Sequence, residues 1–292
     1  MKTLIALIRS LRPHQWVKNS FVLAPLVFSL NVDEPAMLLR AGLATLAFCL
    51  ISGAVYLLND VVDAEADRRH PVKCRRPIAA GLISESFARW ACAALVVSAL
   101  ALALSLELWV AGVTALYFLS NLAYSFKLKH VAYLDVSIIA FGFILRILAG
   151  SFAIDVPLSI YLVSCTFLLS LYLAFGKRLH ELAATGTKRQ QRTVLERYRL
   201  SHLRVATLSV AVLTILAYTA YTLAPHTQSF FGFEAPRLLA TVPFAALGVA
   251  RFYKLASSTR PASPTDQMLR DPLFLANFLA WVLTTLAVVY FL

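Results

Sequence analysis

Charge is scarce in this chain, and acid is scarcer than base. Only 42 of its 292 residues are charged, 15 acidic and 27 basic. That is 14% of the chain, against ~25% in soluble domains. The shortage excludes a water-soluble enzyme, a solvated disordered chain and a charge-laced coiled coil. Cysteine is equally thin. Cys49, Cys74, Cys92 and Cys165 show no metal-type spacing, and the six histidines form no ligand pattern. A disulfide-built secreted domain is thereby excluded, and a lone cysteine in an apolar run reads as a small apolar filler. No internal repeat or low-complexity tract stands out.

What is present is apolar. Hydrophobic residues make up 60% of the chain, about 175 residues, close to nine membrane spans of ~20 residues each. Apolar runs predict spans at 16–31, 36–58, 87–105, 107–125, 131–153, 158–176, 203–224, 236–255 and 272–292. Lys18 and Asn19 interrupt the first, and Glu107 alone divides the third from the fourth, which fits a tight hairpin. The expectation is an all-α polytopic protein, one integral-membrane domain over 1–292 with cytoplasmic loops at 59–86, 124–131 and 176–203.

The basic residues are one-sided. All but Arg40, Arg146 and Arg237 fall in the N-terminal segment and in alternate loops, while the opposite loops hold Asp33, Glu34, Glu107, Asp155 and Glu234. Positive charge marks the cytoplasmic side, so the N-terminus is expected inside. Only six uncharged residues separate Lys2 from Arg9, too few for a signal-peptide core. Leu4, Ile5, Leu7, Ile8 and Leu11 instead suggest an interfacial helix over 3–12.

The acids that remain are concentrated. Asn59, Asp63 and Asp67 follow the second span at i, i+4 and i+8 and fall on one helical stripe, with Asp60 beside it and Glu65 turned away. With no basic residue between them the carboxylates repel, and a divalent cation resolves the repulsion. Hard oxygen donors suit Mg²⁺, which takes one or two protein carboxylates plus substrate phosphates. A solvated helix end is the plainer alternative, and the weaker one where every neighbouring cytoplasmic segment is basic. Directly after the stripe come Arg68, Arg69, Lys73, Arg75 and Arg76, a set suited to phosphate. Lys127 and Lys129 end the fourth span and by themselves read as boundary anchors. After the sixth come Lys177, Arg178, His180 and Glu181, then Lys188, Arg189 and Arg192. Arg146 lies mid-span, eleven residues from Asp135. A charge at that depth marks a partnered inward position, functional or a structural clamp.

These motifs carry a resemblance. Asn59-Asp60-x-x-Asp63-x-x-x-Asp67, Arg76-Pro77 and Tyr124-Ser125-x-x-Leu128-Lys129 resemble the UbiA-type intramembrane prenyltransferase superfamily over nearly the whole chain. Several stretches look more like its decaprenyl-phosphate phosphoribosyltransferase branch. They are Arg12-Pro13-x-Gln15-Trp16-x-Lys18-Asn19, Asp67-Arg68-x-His70-Pro71-x-Lys73-x-Arg75-Arg76-Pro77, Leu145-Arg146-x-Leu148-Ala149-Gly150 and Phe175-Gly176-Lys177-Arg178-x-x-Glu181. Aromatic prenyltransferases carry a second Asp-rich motif where Lys177-Arg178-Leu179-His180-Glu181 stands here, and cations there suit a donor with an additional phosphate.

The resemblance implies a nine-helix bundle in the cell membrane, its active site facing the cytoplasm. It implies Mg²⁺ (or Mn²⁺) and transfer of phosphoribosyl from phosphoribosyl pyrophosphate to a polyprenyl phosphate. It casts Asn59, Asp60, Asp63 and Asp67 as metal ligands, with the three aspartates catalytic. Lys18, Lys73, Arg75, Arg76, Tyr124, Lys127, Lys129, Arg146, Lys177 and Arg178 become phosphate ligands, and Arg68, Asp135 and Glu181 their supports. An aromatic or tetrapyrrole prenyltransferase is the alternative, and a non-catalytic lipid carrier a further one. The polar groups crowd one face of the membrane, which favours an enzyme over a carrier. Nucleic acid is not an expected partner; a second copy of the chain is an open one.

Overall fold

The computed structural model describes residues 2–183, 193–232, 236–258 and 262–290, and every regular element among them is helical. In chain order these are α1 (Lys2–Leu11), α2 (Ala24–Phe28), α3 (Pro35–Val62), α4 (Ala64–Arg68), α5 (Glu85–Leu106), α6 (Leu108–Phe126) and α7 (Leu134–Ile154). There follow α8 (Ile160–Ala183), α9 (Leu200–Leu223), α10 (Pro225–Phe231), α11 (Val242–Ala256), α12 (Pro264–Met268) and α13 (Pro272–Tyr290). Among the described residues, eight helical segments are long and apolar enough to cross a membrane: α3, α5 to α9, the Arg237–Ala256 segment that ends in α11, and α13.

The chain divides into two compact units, Met1–Lys129 with Phe141–Leu158, and His130–Ala140 with Ser159–Leu292, so α7 contributes to both. In the first, α3 is the central helix. Ala41, Ala44, Ala47 and Ala54 of α3 are buried, as are Ala88, Cys92, Ala99 and Ala103 along one face of α5. Small residues let helix backbones approach where no water is left to expel, which is how helices associate in lipid. Phe48, Ile51, Val110, Tyr117 and Leu145 fill the rest of that core. Glu107, extended at φ −169°, joins α5 to α6 and accepts the Leu108 amide, giving the expected tight hairpin.

The expected first span differs. Residues 16–31 form no single α-helix: Pro13–Leu23 is a 3-10 stretch, followed by the five-residue α2. Pro13 and Pro25 lack an amide donor and Asn19 is polar, so continuous α-helical bonding is interrupted. This segment runs back along α3. Arg12 reaches Asp60 near one end, Asn19 reaches Cys49 and Ser52, and the chain enters α3 at Pro35. Arg12 and Leu30, which flank it, both have left-handed φ, 52° and 59°. Gly150 of α7 makes the close approach workable, because a Cβ there would lie 1.9 Å from the Val22 carbonyl oxygen.

In α1 the apolar residues divide between two sides. Ala6 and Ser10 are buried, while Leu4, Ile5 and Ile8 are exposed.

In the second unit α8 and α9 pack against α11. Tyr172, Phe175, Leu203 and Phe252 form the core with Val194, Leu195 and Tyr198, which a 3-10 turn at Thr193–Arg197 tucks in. The α8 helix runs on past Gly176 to Ala183, so Lys177, Arg178 and Glu181 lie on a helix and not in the expected loop. Lys188, Arg189, Arg192, Glu234 and Arg260 lie outside the described residues.

Candidate active site

The carboxylate cluster is built at the corner where α3 gives way to α4. The Asp63 amide donates to Asn59 O at 2.9 Å, the backbone bends at Asp63 (φ −90°, ψ 3°), and the Asp67 amide donates back to Asp63 O at 2.8 Å. Asp60 therefore sits on the last turn of α3 and Asp67 on α4, seven residues apart and within about 20° of one direction on a helix. The loop then reverses. His70 Nδ1 accepts the amides of Val72 and Lys73, and the Arg76 amide closes onto Lys73 O at 2.9 Å. That turn returns Arg76 to the corner, where Nη1 lies 2.6 Å from Asp67 Oδ2 and 3.2 Å from Asp60 Oδ1.

Two further cations meet the same pair. Arg12, in its left-handed conformation, places Nη2 2.5 Å from Asp60 Oδ1, with its guanidinium carbon 5.0 Å from the Tyr56 ring centroid. Lys73 Nζ lies 3.9 Å from Asp67. Asp60 and Asp67 are each 2% exposed, and a buried carboxylate needs such partners. The other two members of the expected stripe sit apart from this pair. The Ser125 hydroxyl donates to Asn59 Oδ1, and Lys129 Nζ lies 2.8 Å from the half-buried Asp63.

Two expectations are corrected by this geometry. The stripe Asn59–Asp63–Asp67 with Asp60 at its side comes apart: Asp60 and Asp67 share Arg76, while Asn59 meets Ser125 and Asp63 meets Lys129. Nor are the carboxylates left to repel one another, since Lys73 and Arg76 return from the loop directly after them and Arg12 and Lys129 arrive from distant segments.

The remaining expected phosphate ligands of this unit are dispersed. Lys18, Arg75 and Lys127 are exposed, and Tyr124 is half-buried. Arg68 pairs with Glu85 at 2.9 Å. Arg146, 5% exposed, spends its donors on neutral acceptors: Asn19 Oδ1 at 2.9 Å, Gly142 O at 2.8 Å and Tyr117 OH at 3.0 Å. Its guanidinium lies 4.8 Å from the Tyr117 ring and 5.2 Å from that of Phe143. A delocalised cation among aromatic faces is stabilised without an anion.

In the second unit Arg178 and Asp135 form a buried ion pair, Nε to Oδ2 at 2.7 Å, and Arg178 Nη1 also meets Glu181 at 2.7 Å. Tyr198 completes the cluster. Its hydroxyl donates to Asp135 Oδ1 at 2.6 Å and accepts the Tyr133 amide at 2.7 Å. Burial, and then the hydrogen bond to Asp135, push the Tyr198 phenol well above its ordinary pKa, so it stays a donor. Lys177, its neighbour on α8, is exposed. Sequence reasoning missed Arg12, Ser125 and Tyr198 as members of these clusters. Arg12 and Ser125 stood in the motifs quoted above without a role assigned to them; nothing local signalled Tyr198.

Among the described residues no three His, Cys, Asp or Glu side chains converge closely enough to hold a metal ion alone, so the expected quartet does not close on one point. The Asp60–Asp67 pair nonetheless fits Mg²⁺, which needs only one or two carboxylates when phosphates supply the other oxygens. One guanidinium nitrogen already holds a cation's place against both.

Apolar helices of membrane-spanning length, with a charged corner at the end of one of them, define an all-α multi-pass membrane protein. Within that class the match is specific: the model of the UbiA prenyltransferase family covers residues 20–289, and the chain belongs to that family. It is 35% identical to a decaprenyl-phosphate phosphoribosyltransferase of Mycolicibacterium smegmatis, over 98% of this chain and 92% of the relative. The Mycobacterium tuberculosis protein of the same name is 34% identical over 97% of this chain and 94% of its own. A solved UbiA homologue from Archaeoglobus fulgidus, bound to DMAPP and Mg²⁺, superposes with a TM-score of 0.70. It covers 98% of this chain and 99% of its own at 16% identity, a likeness of fold.

Proposed function

We propose that this protein transfers 5-phosphoribosyl from phosphoribosyl pyrophosphate to a decaprenyl-type polyprenyl phosphate and releases diphosphate. It would do so in the cell membrane, from a corner facing the cytoplasm, supplying a lipid-linked pentose for cell-wall synthesis. The observation that carries this reading is likeness, along almost the whole chain, to two decaprenyl-phosphate phosphoribosyltransferases.

The residues suit that chemistry. A lipid phosphate oxygen forms a bond to the ribose anomeric carbon as the bond from that carbon to the diphosphate breaks, through a transition state of oxocarbenium character. The attacking oxygen is already anionic, so no base is needed, and positioning and charge stabilisation carry the rate. Asp60 and Asp67, with Asn59 and Asp63 beside them, would hold Mg²⁺, which when bound neutralises charge on the leaving diphosphate. Arg12, Lys73, Arg76 and Lys129 surround that position and can take phosphate oxygens, with Arg75, Tyr124 and Lys127 on the same unit for the others. Arg146 and Arg178 we assign to the framework, given the partners they hold.

The test is direct. Purified protein in nanodiscs, given phosphoribosyl pyrophosphate, Mg²⁺ and decaprenyl phosphate, should form the lipid-linked phosphoribose seen by mass, and Asp63→Asn should abolish diphosphate release with folding intact. Full turnover in chelator, or product from a prenyl diphosphate donor and an aromatic acceptor alone, refutes the reading.

A further inference from the structure

The corner carries more positive charge than its acids can balance. Asp60, Asp63 and Asp67 face Arg12, Lys73, Arg76 and Lys129, so three negative charges meet four positive ones before any metal arrives. A divalent cation entering alone would meet a cluster already positive by one charge. It would also have to displace Arg76 Nη1, which touches both buried carboxylates, and Arg12, which holds the first of them. A displaced guanidinium with no new partner in a partly buried site is costly.

The exposure of the two sides differs. Asp60 and Asp67 are fixed and covered, at 2% each, whereas the Arg12 and Arg76 side chains keep 26% and 27% of their surface open. The arginines are therefore the members of the cluster free to swing. Both belong to segments outside the carboxylate helices. Arg12 closes α1 in a left-handed conformation that an L side chain adopts at some cost, and Arg76 ends the return loop before Pro77.

We propose that Arg12 and Arg76 are exchangeable counter-ions, holding Asp60 and Asp67 in the free protein. They pass from carboxylate to phosphate oxygen when the donor's diphosphate enters, so that divalent cation and diphosphate bind as one event. This rests on the metal–diphosphate reading above and specifies how the site is filled. Arg–phosphate contacts replace Arg–carboxylate contacts in kind, both charge-assisted and both able to use two nitrogens. The carboxylates gain a divalent cation in place of two monovalent ones. Each half of the exchange strands charges without the other, and that is the source of the coupling.

Equilibrium dialysis of the protein in nanodiscs tests it, counting protein-bound Mn²⁺ and inorganic diphosphate separately and subtracting empty nanodiscs. Saturating diphosphate should tighten Mn²⁺ binding by about tenfold or more in the wild type, within the usual span of a coupling between two ligands. Arg12→Gln and Arg76→Gln should each bind Mn²⁺ alone more tightly and lose most of that enhancement, while Arg12→Lys should retain part of it. Wild-type Mn²⁺ affinity that ignores diphosphate overturns the exchange and leaves the metal reading standing. So does a folded Arg12→Gln or Arg76→Gln with undiminished coupling. Protein that takes up no Mn²⁺ even with diphosphate present overturns both. The wild-type measurement decides the matter even where a variant fails to fold.

Discussion

Replacing Arg178 with Met should destabilise the second unit, not merely slow turnover. Asp135 is fully buried and Arg178 is 2% exposed, with their charged atoms 2.7 Å apart. Arg178→Met keeps an unbranched apolar stem and removes the charge, so Asp135 is left in the interior with the Tyr198 hydroxyl donating to it at 2.6 Å. Stranding one member of a buried pair costs about 3–5 kcal/mol. A typical domain has only about 5–15 kcal/mol in total, so the variant should lose thermal stability before its kinetics can be read. The sign of a second substitution separates stranded charge from lost packing. Asp135→Asn added to Arg178→Met removes the charge that has no partner, and it should recover a large part of the loss, a coupling only neighbours show.

Fluorescence-detected size-exclusion chromatography after heating reads the stability of single and double variants. Donor KM and kcat on the surviving fraction read function. Arg178→Met with wild-type thermal stability and a raised KM for phosphoribosyl pyrophosphate would refute the reasoning, because it would make Arg178 a phosphate ligand.

Two further substitutions probe the first unit. Gly150→Ala places a methyl 1.9 Å from the Val22 carbonyl, against backbone that cannot rotate away, and should cost about 1–3 kcal/mol or more in thermal stability; Gly112→Ala, with nothing within 4 Å of its added carbon, should melt like the wild type. Arg146→Met leaves the Asn19 and Tyr117 side chains short of a buried partner, at about 1–3 kcal/mol for each group left unsatisfied. It should lower the melting temperature while leaving donor KM within twofold, roughly 0.4 kcal/mol, and an unchanged melting temperature with a raised KM would instead assign Arg146 to phosphate.

What could be read from the residues alone follows the physics that acts locally. The bilayer sets the length of an apolar run, so most spans were legible within a few residues: α5 was expected at 87–105 and runs from Glu85 to Leu106. The site's address was legible for the same reason, since charge is so rare that Asn59 to Arg76 stands out wherever it is placed. Pairing was not legible, because it depends on how the chain returns. Asp60 and Asp67 share a cation because His70 turns the loop to bring Arg76 back to them. Hydropathy likewise records that residues 16–31 are apolar but not that Pro25, inside that run, interrupts the amide ladder of one continuous helix.

Lys177 and Arg178 show the limit most plainly. Adjacent, both basic, and read together as phosphate ligands, they point to different surroundings because α8 continues through them: one lies exposed and the other is sealed against Asp135. In a membrane protein with so few charges, a basic residue buried against an acid is committed to the fold, and one that keeps an open side can still change partners. By that criterion Arg12 and Arg76, each about a quarter open beside covered carboxylates, are the cations of this chain best placed to take part in turnover.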